Sequence, residues 1–159
     1  MNNKGNFVIT WMSGSYDNSY NQDGSYFGVY AQRFDRNGNP VGDEFQVNTY
    51  TDDHQMWPSI AMDGVGNFII TWSSAWQIDS NTDVYAQKYD RNSNKIGDEY
   101  RVNNYTCASQ SNAYSRNIAM SKNGDFIISW GSYNQCRFQY GDWGPAGNDI
   151  YAKYYTSRH

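Results

Sequence analysis

Residues 58–72 read PSIAMDGVGNFIITW, and the recurrence of this stretch along the chain decides the fold. It divides into two short strands, PSIAMD and NFIITW, around the turn signal Asp63-Gly64-Val65-Gly66. The second half returns as GNFVITW at Gly5–Trp11 and as GDFIISW at Gly124–Trp130, and the first half returns as RNIAMS at Arg116–Ser121. Downstream of the central copy lie VYAQKY at 84–89 and EYRVN at 99–103. Their counterparts are VYAQRF at 29–34, EFQVN at 44–48 and IYAKYY at 150–155.

The central copy therefore predicts four strands in the order a-b-c-d, at 59–62, 67–73, 84–89 and 99–103. Strand b recurs after 61 and then 58 residues, and strand c after 55 and then 66. Three units result, over roughly 5–50, 56–106 and 115–156, all within one domain spanning 1–159. The first lacks strand a and the last lacks strand d, so both are incomplete. Four-stranded units at such a period predict an all-β fold of β-propeller-type blades. In strand b, Phe68, Ile70 and Trp72 share one face while Ile69 and Thr71 share the other, as a sheet packed on both sides requires. Strand c sets small Val84 and Ala86 against large Tyr85, Gln87 and Tyr89, a pairing of surfaces that interdigitates. A β-sandwich is the rival, but it gives no reason for a threefold repeat.

The a–b and c–d connections are short and rich in Asn-Gly steps, whereas b–c and d–a are long. In an up-down-up-down sheet the two long sets emerge at the same end, where binding residues are expected.

These strands resemble the tandem repeats of very large secreted bacterial surface proteins. There a G-x-F-V-x-T-W strand, a V-Y-A-Q-R-[FY]-D strand and a G-x-E-F-x-V-N strand recur in this order, and VYAQRFDRNGNPVGDEFQVN at 29–48 is the most specific match. The pattern departs at Lys153 and Thr156, which stand in place of Gln and Asp. The resemblance implies an extracellular or cell-surface, adhesin-like module and no assigned activity.

Composition sets the outer limits. Of 159 residues 18% are aromatic, 15 of them Tyr, and 18% are charged. That much aromatic content argues against disorder. Lys and Arg total 12 against 16 acidic residues and form no run, so a nucleic-acid partner is not expected. No apolar stretch approaches the length of a membrane helix, so membrane insertion is not expected either. No signal peptide is visible in the chain.

Three groups of residues could carry chemistry. The first b–c loop places Asp17, Ser19, Asn21 and Asp23 ahead of Gly24, an alternation of oxygen ligands that suits Ca²⁺. Ordinary polar turns are the plainer alternative. Aromatic residues on the long loops, Tyr16, Tyr20, Trp57, Trp76, Tyr140 and Trp143, could stack on the faces of a glycan, or could pack beneath their own loops. Cys107 and Cys136 fall in long loops at the same end and are expected to pair as a disulfide in a secreted chain, with two free thiols as the alternative.

Catalysis has little support. The two Glu, Glu44 and Glu99, occupy equivalent repeat positions, and no second carboxylate is nominated to converge with either, as a glycosidase requires. Two functional readings follow. One is a non-enzymatic, lectin-like binding module for a glycan or another surface ligand. The other is a structural repeat that self-associates through its terminal units or joins neighbouring repeats.

Overall fold

A computed structural model describes residues 1–78, 81–104, 110–111, 117–133 and 148–157. Among them the chain is all-β, with three antiparallel sheets. The first sheet contains β1 (Phe7–Gly14), β2 (Phe27–Phe34) and β3 (Phe45–Gln46) in that order. The second runs β4 (Gln55–Met62), β5 (Phe68–Ala75), β6 (Thr82–Tyr89) and β7 (Lys95–Arg101). In the third, β10 (Phe126–Tyr133) pairs with β11 (Asn148–Tyr155) on one side and with β8 (Gln110–Ser111) and β9 (Ile118–Met120) on the other.

The threefold repeat is thus a repeat of sheets. β1, β5 and β10 each sit within a different sheet, and each pairs with its following strand over eight residues in the same register: Phe7↔Phe34, Phe68↔Tyr89 and Phe126↔Tyr155. Those opposed rings stack at 5.2, 4.9 and 4.6 Å. Four residues on, Trp11–Tyr30, Trp72–Tyr85 and Trp130–Tyr151 stack at 6.5, 6.3 and 6.1 Å. Cross-strand aromatic pairs of this kind stabilise a ladder beyond their burial. The three b-strand tryptophans are framework.

Strand a is longer than its sequence indicates. β4 begins at Gln55 and passes through a bulge between Met56 and Ser59. Pro58 in that bulge has no N–H to offer, and Trp57 takes the left-handed φ of 56°. A reading that stops at proline therefore loses the first residues of the strand, from Gln55. In the third sheet β8 and β9 reproduce the two halves of β4, since Gln110↔Ser132 matches Gln55↔Ser74 and Ile118↔Ile128 matches Ile60↔Ile70.

The sheets stack face to face, with the second between the other two. Its aromatic face, formed by Phe68, Ile70, Trp72, Tyr85 and Tyr89, closes on Val29, Ala31 and Val47 of the first sheet. Its small-residue face, formed by Ile69, Val84, Ala86 and Val102, closes on Ile118, Phe126 and Ile128 of the third. The two interfaces repeat one design, large side chains of one sheet seated on the Val/Ala floor of its neighbour. Among the described residues the three sheets form no closed ring. No described helix is long and apolar enough to cross a membrane.

The short turns follow from their side chains. Asp63 Oδ1 accepts the N–H groups of Val65, Gly66 and Asn67, at 2.7–3.0 Å. Asp35 and Asp90 do the same for the two c–d turns, each taking two backbone N–H groups and the amide of Asn39 or Asn94. These bonds hold both carboxyls below the ordinary carboxylate range, with the Asn39 and Asn94 side chains as the largest cause. At Lys153 the departure from the repeat has a visible consequence. Gln32 and Gln87 donate to the carbonyls of Gly42 and Gly97 in their own sheets, whereas Lys153 Nζ reaches the Val102 carbonyl of the neighbouring sheet at 3.3 Å.

Candidate functional site

Among the described residues, the long loops of the first and second units lie at one end of the stack, where strand d joins them through a side chain. Val29 N–H donates to Asn48 Oδ1 and Val84 N–H to Asn103 Oδ1, each at 2.8 Å, so the asparagine of each VN pair extends the c–d ladder where the backbone has turned away. Asn103 Nδ2 in turn donates to buried Asp83 at 2.6 Å, and Arg101 approaches the same carboxylate at 3.6 Å.

The first b–c loop spends its acidic residues separately. Asp17 Oδ1 accepts from Ser15 Oγ, Ser19 N and Ser19 Oγ at 2.8, 3.1 and 2.6 Å. Those hydrogen bonds, led by the Ser19 hydroxyl, bring the Asp17 carboxyl down to about 2. Asn21 turns its amide to Asn18. Asp23 instead accepts from Gln46 Nε2 at 2.9 Å and lies over Gly28, where a Cβ would meet its Oδ2. Gly28 holds the register position that Asp83 holds in the second sheet, opposite Ser13 as Asp83 is opposite Ser74. Asp23 therefore supplies from a loop the carboxylate that the second unit carries on its strand. Of the four expected calcium ligands the fold brings Asp17 and Ser19 together and ties Asp23 to β3. Among the described residues no three His, Cys, Asp or Glu side chains gather as a metal group.

The aromatic candidates disperse. Tyr16 stands edge-on to Phe27 at 4.9 Å and, with Tyr26, flanks the ring of His54. Tyr20 is exposed and Trp57 sits half-buried in the β4 bulge. Trp76 is exposed at φ 56°, with its carbonyl accepting from the Tyr50 hydroxyl at 3.4 Å. Tyr140, Trp143, Cys107 and Cys136 lie outside the described residues.

Next to Trp76 a groove of about 420 Å³ opens between the d–a loop of the first unit and the outer edge of the second sheet. Thr49, Tyr50, Gln77, Gln87, Lys95, Asp98 and Glu99 line it. Glu99 fixes its wall, accepting from Gln77 Nε2 at 2.9 Å and Thr49 N–H at 2.6 Å, while Lys95 Nζ donates to Thr49 Oγ1. Glu44 makes the matching bond with Gln22, so this pairing is repeat structure. Two acceptors of the lining, Gln77 Oε1 and Gln87 Oε1, are buried and have no hydrogen-bond partner in the protein. A buried oxygen left in that state costs about 1–3 kcal/mol. Desolvation, followed by the charges of Asp52 and Asp53, raises the Tyr50 hydroxyl, so it stays protonated as a donor.

Sequence reasoning reached Trp76 but not this groove. Tyr50, in TYT after the VN pair, was the available signal, since an NYT copy follows VN at 102–106. The remaining lining residues come from two different units, which only stacking brings together. The chain matches none of the protein-family models compared with it and none of the curated proteins.

Proposed function

We propose that this chain is a non-enzymatic, extracellular binding module whose three sheets are propeller-type blades, and that its groove takes a polyhydroxylated ligand of the glycan class. The observation that carries this reading is the groove itself, which sets Tyr50 of the first unit beside Gln77, Lys95, Asp98 and Glu99 of the second. A sugar offers hydroxyls to the polar side chains of Lys95, Asp98 and Glu99 and an apolar ring face to Tyr50, and the few polar groups fix its orientation. The resemblance of the repeats to secreted surface proteins supports the location.

Screening the full chain on a glycan array, followed by calorimetry on the strongest hits, tests the reading. Tyr50→Ala and Gln77→Ala should each weaken binding about tenfold, the effect of one lost hydrogen bond or stacking contact. An array without signal overturns it. A purely structural, self-assembling repeat is the second reading, favoured by the exposure of Ile9 and Ile150 on the outer sheet faces.

A further inference from the structure

We propose that two copies of this chain dock head to tail, the outer face of the third sheet of one on the outer face of the first sheet of the other. The two internal interfaces define what each outer face lacks. In both, the small-residue face of one unit receives the aromatic face of the next. The first sheet has no described sheet across the corresponding aromatic face, where Tyr30 and Gln32 are buried but Phe7, Trp11 and Phe34 are only half-buried. Ile9 there is 48% exposed, while its repeat equivalents Ile70 and Ile128 are 0% exposed. The third sheet presents the matching floor. Ile127 is 44% and Ile150 85% exposed, where Ile69 and Val84 are fully buried.

A backbone series runs in the same direction. Asn3 N–H donates to the Gly64 carbonyl at 3.1 Å, and Gly64 N–H donates to the Lys122 carbonyl at 3.0 Å. These three residues occupy one position of the a–b turn in successive units, 61 and then 58 residues apart. The series continues with Lys122 N–H of one copy donating to the Asn3 carbonyl of the other. Gly64 has no side chain because one would meet Asn3 Nδ2 at 2.8 Å and Lys122 O at 3.2 Å, so the bonds demand close approach.

Chemistry allows the contact with a like copy. On the paired strands, the aromatic face of the first sheet (Phe7, Ile9, Trp11 with Tyr30, Gln32, Phe34) and the floor of the third (Ile127, Ser129 with Ile150, Ala152, Tyr154) carry no charge. The charges of Asp23 and Glu44 reach Tyr30 on the first face from outside those strands. Both interfaces are heterologous, and using both ends leaves no face open. Two copies place six sheets in series, within the four to eight blades of closed propellers.

Light scattering coupled to size exclusion tests this on the full chain. The unmodified protein should run as a discrete dimer. Ile9→Arg and Ile150→Arg, both at solvent-exposed positions, should each raise the dissociation constant at least about 30-fold and run as monomers. Ala152→Arg serves as a further variant of the floor. Circular dichroism checks that each variant keeps its β spectrum and a cooperative melt. An equimolar mixture of Ile9→Arg and Ile150→Arg keeps one intact interface and should show a higher mean mass than either alone. A wild-type monomer at the highest soluble concentration overturns the proposal. So does a folded variant that dimerises like wild type, or a mixture whose mass does not rise.

Discussion

Asn103 joins two interactions that substitution can separate. Its Oδ1 accepts the buried Val84 N–H at 2.8 Å, and its Nδ2 donates to buried Asp83 at 2.6 Å. Asn103→Ala removes both. A buried N–H deprived of its acceptor costs about 1–3 kcal/mol, and a hydrogen bond to a charged group contributes about 1.5–3 kcal/mol. Arg101 still stands 3.6 Å from Asp83 and screens part of the second loss, so about 3 kcal/mol in total is expected. Asn103→Asp keeps an acceptor for Val84 but sets a carboxylate where the donor to Asp83 had been. Two carboxylates at hydrogen-bond distance cannot both ionise cheaply, so one is raised above the ordinary range in the folded state. The folded variant then binds more protons than its unfolded chain between that ordinary range and the raised value. Its stability is present below the window and falls as pH rises through it. The Asp variant should be about 3 kcal/mol less stable than wild type at pH 7 and recover part of that deficit as the pH approaches 4. Urea unfolding at fixed protein concentration, followed by circular dichroism, measures both values. An Asp variant equal to wild type at pH 7, or a deficit that does not shrink on acidification, would refute the role given to this asparagine.

Three further outcomes are expected. Gly28→Ala should cost about 1–3 kcal/mol through the collision of its Cβ with Asp23 Oδ2, and a double-mutant cycle with Asp23→Ala should return about 1 kcal/mol of coupling; simple additivity would count against the loop carboxylate standing in for Asp83. Ile70→Ala should destabilise the chain by about 2–5 kcal/mol, but Ile9→Ala in the isolated monomer by under about 1.5, because the same repeat position is buried in one sheet and half open in the other. In an NMR titration Asp17 should titrate at about 2, and Asp35 and Asp90 below 3.8. Each depressed carboxyl contributes stability that is present above its unfolded value and lost as pH falls through the folded one. Asn39→Ala and Asn94→Ala should return Asp35 and Asp90 toward 3.8, and unchanged titrations would show that the amides do not hold them.

The groove and the outer faces draw on the same stacking. Tyr50 and Thr49 come from the first unit, and Gln77, Gln87 and Glu99 from the second, so the groove exists only while the first interface is closed. A change in the Val29–Ala31 floor should therefore weaken ligand binding without touching a lining residue, whereas a charge at Ile150 should alter assembly alone.

By itself the sequence determined the all-β class, the three units and the strand faces. Each of those rests on local chemistry repeated at a fixed spacing: alternation in Phe68–Trp72, Asp and Asn at the turns, small against large in VYAQ. It also marked Lys153 as a departure, though not that its amine would cross to Val102. The tertiary structure alone decided the rest. β4 runs on through Trp57 and Pro58 because the opposite strand keeps pairing with it past the bulge, and a proline read in isolation ends a strand. Asp23 replaces Asp83 across a shift in chain position that no alignment of the repeats contains, since what recurs is a carboxylate in space. The Gln77 and Gln87 oxygens became notable only when packing buried them beside a loop from the previous unit, as burial and hydrogen-bond satisfaction are properties of the assembled stack and not of any residue in its strand.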